Sequence, residues 1–518
     1  MHDERNGMSR IENTGKNFLF SFLASILTAI TSFISRTVFV RTIGLNYLGA
    51  NGLFTNILAM LSLTELGLSS AIGYSLYAPL AKNDVDTIKS LMRFYKNAYR
   101  IIALVIAALG IGLIPFLKFL IKDPGDIQHI PLIYVVFLYN TVISYVFSYK
   151  ITLLVADQKS YVMTNMTMAI NVVTVIIQTG VLLISKNYFL YLFIGAGLNT
   201  AQWAFINKRI YKLYPYLKEK DIAPLAKGEK QTIATNVKAM TFHKVGELCI
   251  NQTDNLIISS IISIAAVGIY SNYHMIISII NRIAKSIFNS ATASLGNLIA
   301  TESYERQYEV FKRYNFLGFW VFGWTGVCLY TLLSPFIKLW LGDSFLMDDL
   351  TLTLVMIDYY LVGMRITIGN VKMAAGLYAQ DQWAPIVQAF INLFVSIFAA
   401  VRIGLPGVFL GTVVSSICVP CWYRPVVVFK YAFHRPIREY FSSYFLYLGI
   451  TMFNVLLIRC ICRFVIDAAQ LSAYLTFFLK ACACAILPNV VILLIFHRTE
   501  EFLYLQETIK SILKRIFR

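Results

Sequence analysis

Apolar runs of about twenty residues or more recur along this chain from residue 17 to residue 497, with short polar stretches between them. At 1.5 Å per residue, a helical run of about 20 residues crosses the roughly 30 Å hydrocarbon layer of a bilayer. Fourteen such runs are present, at 17–40, 47–77, 98–121, 131–153, 161–184, 188–207, 237–262, 267–298, 314–340, 350–376, 384–401, 404–429, 440–466 and 472–497. Within lipid every backbone N–H and C=O needs a partner inside the protein, and a helix supplies it locally. The pattern therefore predicts an all-α polytopic membrane protein of about 14 transmembrane helices.

The polar stretches carry the orientation. Lysine and arginine gather in alternate loops, around 82–96, 208–230, 306–313 and 430–438, and in the tail beyond Arg498. The intervening loops are short and nearly neutral, and 343–349 is acidic through Asp343, Asp348 and Asp349. The positive-inside rule then places both termini in the cytoplasm, which requires an even number of spans. Residues 502–516 space Phe502, Leu505, Ile509, Ile512 and Ile516 three and four apart among basic residues, as an interfacial amphipathic helix does.

Composition agrees with this reading. Of the 518 residues, 58% are hydrophobic and 14% charged, and the mean hydropathy is +0.65. A soluble domain of this length is excluded. The net charge of +18 resides in the loops, so no nucleic-acid partner is expected. The eight cysteines lie mostly in or beside apolar runs. CVPC at 418–421 has zinc-like spacing but no second pair, so these residues read as packing groups. Neither a metal nor a cofactor is expected. Residues 1–16 are polar, and the first apolar run is too long for a signal-peptide core, so it reads as an uncleaved first span.

The two halves resemble each other. IPFLKFLIKD at 114–123 matches SPFIKLWLGD at 334–343 with an offset of 220, aligning Pro115 with Pro335, Lys118 with Lys338 and Asp123 with Asp343. Gly49 pairs with Gly268, Lys150 with Lys372, and ADQK at 156–159 with QDQW at 380–383. Each repeat holds six spans, an even number, so the repeats are parallel. The expected organisation is a cytoplasmic N-terminus (1–16), an N-lobe of helices 1–6 (17–210) and a basic cytoplasmic linker (211–235). A C-lobe of helices 7–12 (236–430), helices 13–14 (436–497) and a basic amphipathic tail (498–518) follow. Two such six-helix lobes around a central cavity form a transporter architecture.

Charges inside the spans point to that cavity, because an Arg, Lys or Asp at a helix centre costs roughly 2.5–3.5 kcal/mol on the insertion scale. In the eighth span His274, Ser278, Asn281, Arg282, Lys285, Asn289, Thr292 and Gly296 fall within an arc of about 100°, with Ile276, Ile280, Ile283 and Ile287 opposite. In the tenth, Asp358, Arg365 and Lys372 recur at sevens. Six cations in the spans (Arg36, Lys150, Arg282, Lys285, Arg365 and Lys372) face four anions (Glu65, Glu247, Asp254 and Asp358), an excess of two positive charges. Such a cleft favours an anionic cargo with phosphate oxygens. The expected cargo-binding set is Arg36, Lys150, His274, Asn281, Arg282, Lys285, Asn289, Arg365 and Lys372. The four carboxylates are candidates for coupling to H+ or Na+. Each charge has a blander reading too: Arg36 snorkelling to an interface, or Lys244 and Glu247 pairing with each other.

The run NTGKNFLFSFLASILTAITSFISRTVFVRTIGLNYLGANGLF, the motif LTELGLSSAIGYSL, and VGIYSNYHMI ahead of the polar eighth span resemble the polysaccharide transporters. These belong to the multidrug/oligosaccharidyl-lipid/polysaccharide (MOP) exporter superfamily, and the likeness is greatest to Wzx-type flippases. It spans about residues 10–435. The resemblance implies a V-shaped twelve-helix core that alternates between inward and outward openings in the bacterial cytoplasmic membrane. It implies transfer of an undecaprenyl-pyrophosphate-linked oligosaccharide, for capsule, exopolysaccharide or O-antigen, to the outer leaflet, beside other polysaccharide-assembly proteins. It also implies head-group binding by cavity cations, to which Arg282, Lys285 and Arg365 correspond. Lipid II flippases also have fourteen spans and form a near alternative. A membrane polymerase or glycosyltransferase is the alternative of another class, but the long outer loop or catalytic carboxylate motif it needs is missing. GxxxxGK[ST] and HExxH are absent as well. The chain is therefore read as a transporter rather than an enzyme.

Overall fold

The computed structural model describes residues 26–62, 68–219, 252–377 and 379–516, with isolated positions between 224 and 233. Among them there is no strand. Among the described residues, eleven helices are long and apolar enough to cross a membrane. The other three expected spans fall at 17–40, 47–77 and 237–262, where some or most residues lie outside the described set.

The chain packs as two units, Met1–Gly268 and Ile269–Arg518. In the first, α1 (26–42) is followed by α2 (Leu45–Leu61) and α3 (Leu68–Lys82). Then come α4 (Val85–Leu113), α5 (Ile130–Ser148), α6 (Ser160–Ser185) and α7 (Tyr188–Leu213). Of the span expected at 47–77, the described residues form α2 and α3, and 63–67 lie outside the described set. The α4 helix starts well before the apolar run expected at 98–121. Asp84 caps it, accepting from the Thr87 N–H at 3.1 Å and the Thr87 hydroxyl at 2.7 Å. Those two bonds hold the Asp84 carboxyl below its ordinary range. The charged cap is therefore fully present above the ordinary carboxylate range and is lost as pH falls below it. The protection factor of the Thr87 amide, its intrinsic exchange rate relative to the observed rate at the same pH, should fall in Asp84→Ala and in wild type at acid pH, while Asp84→Asn keeps the cap at neutral pH.

A close approach inside the first unit matches the repeat. A Cβ on Gly49 would stand 2.0 Å from the Ile264 carbonyl oxygen, and one on Gly268 would stand 2.5 Å from that of Leu45. Leu45 and Ile264 share the offset of 219 that relates the two glycines. The two helix starts thus meet reciprocally, each glycine against the other segment's carbonyl, as a local pseudo-two-fold requires.

The second unit takes most of α8 (Ile264–Ser290), then α9 (Tyr304–Leu341), α10 (Asp349–Ala374) and the hairpin α11 (Ala384–Ile403) and α12 (Leu405–Cys418). It continues with α13 (Pro420–Val428), α14 (Arg438–Ile461), α15 (Ala473–Phe496) and α16 (Glu500–Ile516). The 38-residue α9 is its spine, packing against α10, α14 and α15. Phe319 stacks on Tyr447 at 4.3 Å, the Trp320 Nε1–H donates to Asn489 Oδ1 at 2.7 Å, and the Trp324 Nε1–H donates to the Cys484 carbonyl at 3.1 Å. The last two spans are therefore anchored to the body of the second unit by aromatic and polar contacts together. The tail does form a helix, α16, and docks on α9 through Phe502 on Trp320 and Tyr504 on Arg313.

Candidate functional site

The α8 helix shows how a membrane helix can carry charge. Its packing face is made by Tyr273, Ile277, Ala284 and Phe288, all buried, and the short helix Thr292–Thr301 continues that face with Leu295. At 100° per residue these positions cluster within about 60°. The polar stripe lies roughly 95° to one side, and the isoleucines flank the other. His274, Arg282, Lys285 and Asn289 are exposed on this stripe, and Asn281 is half-buried. His274 lies beside the Tyr270 ring at 5.5 Å. Among the described residues no carboxylate forms an ion pair with Arg282 or Lys285. The stripe is thus presented outward from the packing seam rather than consumed by it.

A second group meets α8 from α10. Arg365 is buried at 6% exposure, and its guanidinium donates to the Ser416 carbonyl at 3.2 Å, the Ser416 hydroxyl at 3.4 Å and Cys421 Sγ at 3.5 Å. The Ser416 hydroxyl in turn donates to Asp358 Oδ1 at 3.2 Å. One serine thus links the two charges, accepting from the cation and donating to the anion. Arg365 and Lys285 both lie within Coulombic reach of Asp358. This relay explains how α10 holds two charges one heptad apart inside a protein interior. Ser416 was not a candidate from sequence: it lies 51 residues from Arg365, and a lone serine in an apolar run carries no signal.

The other candidates are placed elsewhere. Lys372 forms an ion pair with Asp381, whose side chain is 1% exposed, so this cation is already neutralised within the second unit. Lys150, 3% exposed, donates to Asn207 Oδ1 and lies 3.7 Å from the centre of the Tyr211 ring. Arg36 sits half-buried in α1, within Coulombic reach of Tyr191. Asp254 is half-buried near the end of the first unit. Glu65 and Glu247 lie outside the described residues. The structure therefore gathers Lys285, Asp358 and Arg365, with Arg282 on the same α8 stripe, and leaves Arg36, Lys150 and Lys372 in separate surroundings. Asp381 was visible in sequence only as part of the repeated ADQK/QDQW motif. Its pairing with Lys372, nine residues away across the end of α10, was not. Among the described residues no three His, Cys, Asp or Glu side chains converge to hold a metal ion.

No protein family and no curated protein matches this sequence. Solved structures do match its fold. The lipid II flippase MurJ in an inward closed conformation superposes with a TM-score of 0.63 at 14% identity, over 93% of this chain and 99% of that one. An inward-facing multidrug resistance MATE family transporter of the MOP superfamily gives 0.57 at 14%, over 77% of this chain and 94% of its own. The Vibrio cholerae MATE transporter VcmN gives 0.56 at 14%, over 85% and 100%. The chain has the MOP transporter fold.

Proposed function

We propose that this protein is a flippase that moves polyprenyl-pyrophosphate-linked oligosaccharides, of the kind used for capsule, exopolysaccharide or O-antigen, across the bacterial cytoplasmic membrane by alternating access. The observation that carries this reading is the exposed stripe of α8, where Arg282 and Lys285 have no ion-pair partner among the described residues of a MOP-type fold. In the second unit four candidate cations meet two carboxylates, Asp358 and Asp381. Lys372 and Arg365 are the ones these groups engage most directly. The uncompensated charge therefore resides on α8, in reach of a diphosphate, with His274, Asn281 and Asn289 beside it to meet hydroxyls. Asp358, linked to Arg365 and near Lys285, is the group through which uptake of H+ or Na+ would alter the charge of the site.

The double variant Arg282→Ala/Lys285→Ala should lower surface glycan at least tenfold at normal protein levels, since charge-assisted bonds are worth about 1.5–3 kcal/mol each. Unchanged export would remove the stripe from the site. A second reading, lipid II transfer, draws on the fold shared with MurJ across 93% of this chain. Growth rescue of cells depleted of their own lipid II flippase would favour that cargo over a polysaccharide repeat.

A further inference from the structure

The first unit holds a concentration of positive charge that the flippase reading does not use. At 100° per residue, Lys89, Arg93, Lys96 and Arg100 fall within about 60° on one face of α4. Lys89 is neutralised by Asp86 and Glu219, each at 2.8 Å. Further along, the neighbours are alike in sign. Lys96 lies within Coulombic reach of Arg93 and Arg100, and buried Lys150 within reach of Lys96. Among the described residues, the partners of Lys150 are neutral: the Asn207 amide and the rings of Tyr211 and Tyr149, 3.7 and 5.3 Å from its Nζ.

The repeat shows what is missing. Lys372, the match of Lys150, is neutralised by Asp381. The corresponding carboxylate in the first unit, Asp157, is taken by Lys159 at 2.8 Å and by the Tyr214 hydroxyl at 2.6 Å. Among the described residues no carboxylate forms an ion pair with Lys96, Arg100 or Lys150. Like charges held this close repel, and an anion between them would reverse the sign of that interaction.

Depth identifies the anion. Ile101–Leu120 is twenty residues long with Lys118 its single charge, about 30 Å of helix. The basic end of α4 therefore lies at the level of lipid head groups. The rings of Tyr149 and Tyr211 lie over Lys150, and the turn at 215–218, with Tyr216, packs against α4, as tyrosines do at a membrane interface. We propose that Lys96, Arg100 and Lys150 form a binding site for the phosphate of a lipid head group. Arg100 supplies a fork for two phosphate oxygens, and Lys96 and Lys150 supply point charges on either side. The phosphate could belong to an anionic phospholipid of the bilayer or to a polyprenyl pyrophosphate. The site does not rest on the flippase reading, because α8 takes no part in it.

The test uses the full-length protein in a neutral detergent, titrated separately with phosphatidylglycerol, phosphatidylcholine and polyprenyl pyrophosphate, with bound lipid counted by native mass spectrometry. Wild type should prefer phosphatidylglycerol to phosphatidylcholine. Lys96→Gln/Arg100→Gln should weaken binding of the anionic lipid roughly 30-fold and leave phosphatidylcholine unchanged. Loss restricted to phosphatidylglycerol identifies a resident phospholipid. Joint loss, with the two anionic lipids competing, identifies a site that also takes the diphosphate. If the double variant cannot be purified, exposed Arg100→Gln alone should weaken binding about fivefold. Equal binding of both anionic probes by wild type and variant, or no preference of wild type over phosphatidylcholine, overturns the proposal.

Discussion

Asp381→Ala is expected to destabilise the protein by about 3–5 kcal/mol, because it removes the carboxylate that pairs with the buried Lys372 ammonium in the second unit. Asp381 is 1% and Lys372 8% exposed, so water cannot replace the lost partner. The double replacement Lys372→Met/Asp381→Leu removes both charges and keeps comparable bulk. It should recover much of the loss, since an apolar pair avoids the desolvation cost of two buried ions. Unfolding midpoints in detergent for the single and double variants check this. A double variant no better than the single would mean that packing, rather than the lost ion pair, sets the penalty.

Placing a side chain on Gly49 should be comparably damaging. Real Cβ atoms essentially never come within 3.0 Å of another heavy atom, yet this one would stand 2.0 Å from a backbone oxygen. A carbonyl cannot rotate away as a flexible side chain can, so the crossing of α2 with the start of α8 must open. Gly268→Ala meets the Leu45 carbonyl in the mirror-image way at 2.5 Å. At an unhindered helical site glycine to alanine gains up to about 1 kcal/mol from helix propensity. Gly112→Ala and Gly180→Ala, which meet nothing within 4 Å, should show that gain or no change. Gly49→Ala and Gly268→Ala should instead lower both the melting midpoint and the yield of monodisperse protein. Equal behaviour of the two sets would deny the close crossing.

Both predictions concern places where one repeat informs the other, and they show how unevenly the site could be read in advance. The α8 stripe was legible because helical phase depends on local spacing alone: Arg282 and Lys285 share a face whatever they pack against. The same reasoning gave Arg365 and Lys372 equal standing with them. Tertiary contacts then separated the four. Arg365 found Ser416, 51 residues away, and Lys372 found Asp381 around the end of its helix.

The sequence by itself determined the helical class and the eleven apolar spans that the described residues contain, and it pointed to an internal duplication. Each depends on properties that act over one helix length: apolar content against bilayer thickness, 3.6-residue phase and charge between spans. It also placed Gly49 opposite Gly268 in the repeat. Only the tertiary structure decided which buried charges are neutralised and which remain available, because a pairing partner can lie anywhere along the chain and leaves no periodic trace. That is why Lys150 and Lys372, equivalent in sequence, end in different electrostatic settings. Lys372 meets a carboxylate, while Asp157, the counterpart of that carboxylate in the first unit, is held by Lys159 and Tyr214.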